Sequence, residues 1–182
     1  MAETMKGMPG DCLLSEERIH LVVEQLAETI SNDYKDLVSV EDPLLLVGIL
    51  KGAVIFMADL ARALTVPTAM DFMAVSSYGA STSSSGVVRI LHDLDTVVEG
   101  RHVLIVEDIV DTGLTLKYLR EHLESRNPED LRICSLLDKP SRRRADVAVE
   151  YVGVAIPDEF VIGYGLDWDE KYRDLACVRV LK

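Results

Sequence analysis

The chain has 182 residues, 19 Lys+Arg against 31 Asp+Glu for a formal net charge of −12, and 48% hydrophobic residues. That length fits one domain with a real core, and the apolar content excludes intrinsic disorder despite the charge. The acidic balance excludes a general nucleic-acid binder, so a polyanionic ligand must be met by local cations or by a metal.

Residues 1–13 read as a loose tail without the apolar core of a secretory signal. Ser15 is placed to cap a helix carrying Ile19, Val22, Val23, Leu26 and Ile30 at helical spacing, with Leu14 and Ile19 set for a hydrophobic staple. Leu44 to Ile49 is a continuous apolar run, the pattern of a buried parallel strand, broken at Lys51–Gly52. Val54, Ile55, Met57, Leu60 and Leu64 predict a second helix, closed by Thr65–Pro67, and Ala69–Val75 a further strand. Residues 76–86 are a low-complexity stretch of Ser, Thr and Gly, after which Val87–Leu91 resumes a strand. His102–Val106 is strongly β, and a helix is expected from Leu114 to Ser125, ending before Asn127–Pro128. Leu131–Leu137 reads as another buried strand, followed by short strands near 147–154 and 159–163 and an apolar end at Cys177–Leu181. Strands alternating with helices predict an α/β fold: a mainly parallel twisted sheet flanked by helices, in a single domain spanning 1–182.

The three cysteines, Cys12, Cys134 and Cys177, are widely spaced and form no CxxC, which favours a reducing cytoplasm over a disulfide framework or zinc site. Cys134 reads as a small buried hydrophobe. Leu44–Ala58 is too short and too interrupted to span a membrane, so a cytoplasmic protein with no membrane partner is expected.

The segment Val103-Leu104-Ile105-Val106-Glu107-Asp108-Ile109-Val110-Asp111-Thr112-Gly113-Leu114-Thr115 carries the chemistry. A buried strand delivers two adjacent carboxylates to the carboxyl edge of the sheet, where open α/β folds bind ligands. A turn of small and hydroxylated residues then opens a helix, and backbone amides, the Thr112 and Thr115 hydroxyls and the helix terminus can cradle an anion. A phosphate there would lie beside carboxylates able to accept from two vicinal hydroxyls, which together describe a ribose 5-phosphate. Helix capping by Asp111 and Thr112 is the plainer reading of those two residues, but it does not account for Glu107–Asp108.

This segment resembles the phosphoribosyl-diphosphate (PRPP) motif of the type I phosphoribosyltransferases. Leu50-Lys51-Gly52, Asp71-Phe72-Met73, Ser76-Ser77-Tyr78-Gly79, Leu137-Asp138-Lys139-Pro140, Ile156 to Asp167 and Arg173-Asp174-Leu175 narrow the resemblance to the hypoxanthine-guanine enzymes, over residues 15 to 181. The resemblance implies that fold, with a small hood, and transfer of phosphoribose from PRPP to N9 of hypoxanthine or guanine with Mg2+ as cofactor. It implies that Glu107 and Asp108 hold the ribose hydroxyls, one through magnesium. Asp111 would be the general base at purine N7. Ile109, Val110, Thr112, Gly113, Leu114 and Thr115 would line the 5′-phosphate cradle. Lys51, Gly52 and Arg173 would bind pyrophosphate, with a peptide before Lys51 that can be cis. Lys139 would donate to O6 of a 6-oxopurine, which rejects the amino group of adenine. Phe160 would stack on the base, Val161 would contact it through its backbone, and Asp167 would reach a metal near the purine 2-position. Glu107, Asp108 and Asp167 are thus the candidate metal ligands. Ser76, Ser77 and Tyr78 would start a closing lid over 76–86.

On pattern alone, Lys51 and Arg173 are also surface cations, Phe160 and Val161 also core packing at a strand end. The resemblance further implies a homodimer or homotetramer with small-molecule substrates and no nucleic acid. Arg142–Arg143–Arg144 reads as interface or ion-pair residues in so acidic a chain. The alternatives are a xanthine-preferring or pyrimidine enzyme, and a PRPP-sensing regulator, which would need a basic face or an added DNA-binding domain that the sequence does not display.

Overall fold

The computed structural model describes residues 7–77 and 88–182. Helix α1 (Glu16–Tyr34) starts at the expected cap: Ser15 is extended, its side chain accepts from the Arg18 amide at 3.3 Å, and Glu16 and Glu17 complement the positive helix end. Its apolar stripe is buried throughout, and Leu14 and Ile19 are buried in the same core. Helix α2 (Val54–Ala63) buries Phe56, Met57 and Leu60, and α3 (Leu114–Glu124) buries Leu116, Leu119 and Leu123.

Strands β2 (Leu44–Leu50), β3 (Thr68–Ser77), β4 (Val88–His92), β5 (His102–Val110), β6 (Asp130–Asp138) and β7 (Tyr151–Ala155) form one sheet in the order β4-β3-β2-β5-β6-β7. All neighbours are parallel except β3–β4. The alternation of side chains across a strand splits the apolar runs between two cores. Leu44, Leu46, Leu104 and Val106 face α1 and α2, while Leu45, Val47, Val103 and Ile105 face α3. Each such side chain contributes about 1.5–3 kcal/mol on burial, so a run apolar on both faces is held between helix layers on each side.

The amino-terminal stretch departs from the expected loose tail. Residues Pro9–Leu14 form β1, which pairs antiparallel with β9 (Val178–Leu181), itself paired with β8 (Val161–Ile162) in a second, three-stranded sheet. The Gly7 amide donates to the Lys182 carbonyl at 2.7 Å and Arg179 to the Gly10 carbonyl at 2.9 Å. Backbone pairing with the distant chain end supplies this strand, and Asp11 and Cys12 stay exposed, so no apolar alternation marks it. The strand expected near 147 starts only at Tyr151, because the Glu150 carboxylate accepts from the Ile133 amide at 2.8 Å and so takes the place of a strand partner.

Strand β5 extends beyond the expected Val106. Its pairing with β2 ends at Gly48–Val106, but that with β6 continues to Val110–Asp138. Glu107 and Asp108 therefore lie on a strand held from one side and open on the other. Among the described residues no helix is long and apolar enough to cross a membrane.

Candidate active site

The carboxyl ends of β2, β5 and β6 meet the β8 segment around a cleft of about 370 Å³. From β2, a cis Leu50–Lys51 peptide leads into Gly52. A Cβ at Gly52 would lie 1.7 Å from Asp108 Oδ2, so only glycine lets this loop lie against that carboxylate. Glu107 and Asp108 stand side by side at the cleft wall. Burial, then the charge of Asp108, raises Glu107 well above the ordinary carboxylate range. Burial pushes Asp108 up to about 6 with Asp167 adding to it, against the Ile109 amide, which donates at 2.7 Å, and the charge of Arg173.

Beyond β5 the chain turns through Asp111, Thr112 and Gly113 around a second cavity of about 90 Å³, which shares Glu107, Ile109 and Asp111 with the first as lining residues. Gly113 precedes α3 at φ 78°, a left-handed conformation natural to glycine. No side chain caps α3. Asp111 and Thr112 therefore do not act as helix caps: the nearest approach is the Leu114 amide to Thr112 Oγ1 at 3.5 Å, and the Asp111 carboxylate is turned away to accept from Arg142 Nε at 2.7 Å. The first amides of α3 lack intrahelical acceptors, and the helix dipole favours an anion there.

Lys139 follows β6, tethered by its amide to the Val110 carbonyl at 2.9 Å. Its side chain lines the cleft, and the residue is only 7% exposed. Among the described residues its ammonium makes no ion pair or hydrogen bond, which leaves its donors available to a ligand in the cleft. Across the cleft Phe160 is 54% exposed while its neighbour Val161 is buried in β8. Core packing therefore describes the valine but not the aromatic ring. Arg173 pairs with Asp167 at 2.9 Å and donates to the Gly165 carbonyl at 2.7 Å, while Lys51 pairs with Glu170 at 2.9 Å.

Lys51, Gly52, Glu107, Asp108, Ile109, Asp111, Lys139, Phe160, Val161, Asp167 and Arg173 all line the main cleft. Val110, Thr112, Gly113 and Thr115 line the smaller one, whereas Leu114 starts α3 and lines neither. Ser76 lies in β3 opposite Arg89, Ser77 ends that strand, and Tyr78 with the rest of the expected lid lies outside the described residues. Glu107, Asp108 and Asp167 do not close into a three-ligand metal cage among the described residues. Sequence reasoning missed Glu170, which pairs with Lys51 and, at 3.5 Å, with Arg173. An acidic residue between Asp167 and Arg173 was visible, but its partners were not. Two residues of the arginine run form ion pairs: Arg142 with Asp111 and Asp158, Arg143 with Asp138; Arg144 forms none among the described residues.

The phosphoribosyl transferase domain family matches residues 11–169. The hypoxanthine-guanine phosphoribosyltransferase of Mycobacterium tuberculosis is 56% identical over 183 residues, covering 98% of this chain and 91% of its own length. That of Bacillus subtilis is 51% identical over 170 residues, covering 93% and 92%. The structure of the Trypanosoma cruzi hypoxanthine phosphoribosyltransferase in complex with the product IMP superposes with a TM-score of 0.89 at 45% identity, covering 100% of this chain and 98% of that one. Fold and site thus define an enzyme of phosphoribosyl transfer. The chain belongs to the phosphoribosyltransferase family, in its hypoxanthine-guanine branch.

Proposed function

We propose that this enzyme transfers the 5-phosphoribosyl group of PRPP to N9 of hypoxanthine or guanine, giving IMP or GMP and pyrophosphate. The supporting observation is the pairing of the Lys139 side chain, which lines the cleft with its ammonium free of any protein partner among the described residues, and the exposed Phe160 ring with an uncapped helix terminus beside the smaller cavity. A flat 6-oxopurine answers the first and a phosphate the second, and the ribose between them meets Glu107 and Asp108.

The 5′-phosphate takes hydrogen bonds from the amides and hydroxyls between Asp111 and Thr115. The carboxylates of Glu107 and Asp108 accept from the ribose hydroxyls and fix the sugar. Lys51, the Gly52 amide and Arg173 offset the charge that develops on the leaving pyrophosphate. Lys139 donates to O6, Phe160 stacks on the base, and the Val161 backbone and Asp167 contact its edge. Asp111 takes the N7 proton as N9 bonds to C1′ and the C1′–oxygen bond to pyrophosphate breaks, a role worth roughly a hundred- to ten-thousand-fold in rate.

The donor set suits magnesium. Glu107, Asp108 and Asp167 offer only oxygens, and an open arrangement fits an ion that binds one or two carboxylates while keeping waters and substrate oxygens. A cation also offsets the repulsion that burial concentrates on Glu107 and Asp108. When bound, magnesium neutralises charge on the diphosphate. The protein is further proposed to act in the cytoplasm, as one domain, assembled as a homodimer or homotetramer, which light scattering on the eluting protein measures.

The test is an assay with PRPP and magnesium, offering hypoxanthine, guanine, xanthine, adenine and uracil in turn. Rapid use of the first two and little of adenine is expected; conversion of neither hypoxanthine nor guanine overturns the reading.

A further inference from the structure

Arg142 closes the short 3-10 turn Pro140–Arg142, its amide donating to the Lys139 carbonyl at 3.0 Å. Its guanidinium faces two carboxylates on different segments. Nε donates to Asp111 Oδ1 at 2.7 Å, and the Nη1 nitrogen lies 3.6 Å from Asp158 Oδ2. Asp111 belongs to the phosphate turn and Asp158 stands two residues before the Phe160 ring. One side chain therefore links the phosphate turn, the turn anchored at Lys139 and the segment carrying Phe160.

We propose that Arg142 is a positioning residue for the transfer: it holds Asp111 through Oδ1 so that Oδ2 is presented to N7 of the purine. This rests on the general-base reading of Asp111. The pair is half-exposed, and such pairs add little stability, so its use is geometric. Asp111 Oδ2 makes no hydrogen bond among the described residues, so one oxygen is fixed and the other stays free to take a proton. A guanidinium suits the task because it is rigidly planar, always charged and able to address two carboxylates at once. Without it, the Asp111 side chain would rotate away from the reacting edge, and a displacement of about 1 Å can cost on the order of a hundred-fold.

Arg142→Ala is expected to lower kcat roughly ten- to hundred-fold while leaving the KM for PRPP within about two-fold, and Arg142→Lys to recover part of the loss. A kcat for Arg142→Ala within about two-fold of the parent overturns the proposal. Should Arg142→Ala fail to fold, Arg142→Met, which keeps the length of the side chain but has no donor for Asp111, is expected to lower kcat roughly ten-fold with the KM for PRPP unchanged, and an unchanged kcat overturns the proposal. Asp111→Asn separates the two claims. Full turnover there overturns the general-base reading and the Arg142 role with it, whereas collapse there beside an unaffected Arg142→Ala overturns the Arg142 role alone.

Discussion

At Gly52 the backbone lies so close to Asp108 that the smallest side chain has no room. Gly52→Ala must displace either the Lys51 loop or the carboxylate. Because displacements of about 1 Å at a reacting centre can cost a hundred-fold, kcat/KM for PRPP is expected to fall roughly ten- to hundred-fold with the far-UV circular dichroism retained. Parental kinetics in that variant would show that the loop and Asp108 need not touch. Lys139 is a second position where one atom group governs the outcome. A hydrogen bond from a charged donor is worth about 1.5–3 kcal/mol, so Lys139→Ala should lower kcat/KM for hypoxanthine roughly ten- to hundred-fold, leave the KM for PRPP little changed and narrow the gap to adenine. Equal losses for PRPP and base would count against base recognition at Lys139.

Among the elements, β3 and the segment after β4 are joined by Asp71. Its Oδ1 accepts from the Phe72 amide at 2.7 Å and Oδ2 from the Thr96 amide at 2.9 Å. Burial pushes this carboxyl up, but these hydrogen bonds outweigh it and hold the group below its ordinary value of 3.8. A carboxyl depressed in the folded state contributes stability that is complete above the unfolded value and is lost as pH falls through the folded one. Asp71→Asn should therefore lower the melting temperature at pH 7, and the difference from the parent should shrink only below about pH 4. Melting curves from pH 7 to 3 test this, and a difference that vanishes already by pH 5 would contradict it. The same elements show where pattern reading holds. Long apolar runs and the Ser15 cap mark β2, β5, β6 and α1 because burial and capping act within a few residues. Strand β1 escaped notice because its partner is at the other end of the chain, and β5 was read short because its last residues pair with β6 alone.

For the whole molecule, the two cavities share Glu107, Ile109 and Asp111 as lining and draw their walls from several strands, so a ligand that fills them should stabilise the entire fold. A ligand at about one hundred times its Kd adds about 2.7 kcal/mol. For a chain of this size the melting temperature should rise by roughly 5–10 °C with IMP or with PRPP and magnesium. Differential scanning fluorimetry reads this directly. The absence of a shift at saturating IMP, with a shift for an unrelated nucleotide of equal charge, would oppose a purine-ribose-phosphate site.

Residue type and local order marked the parallel α/β sheet and the carboxylate-bearing turn after β5, since alternation, helical period and turn chemistry act between near neighbours, whereas Lys51, Lys139, Phe160, Asp167 and Arg173 were singled out only by the family resemblance. Which charges meet was decided only by folding. Arg142 reaches Asp111 across 31 positions and Lys51 reaches Glu170 across 119, while Asp111, a plausible helix cap by position, turns instead to a guanidinium brought beside it by the end of β6. A side chain takes its partner from the groups within a few ångströms, and the packing of sheet and loops, rather than separation along the chain, sets which groups those are.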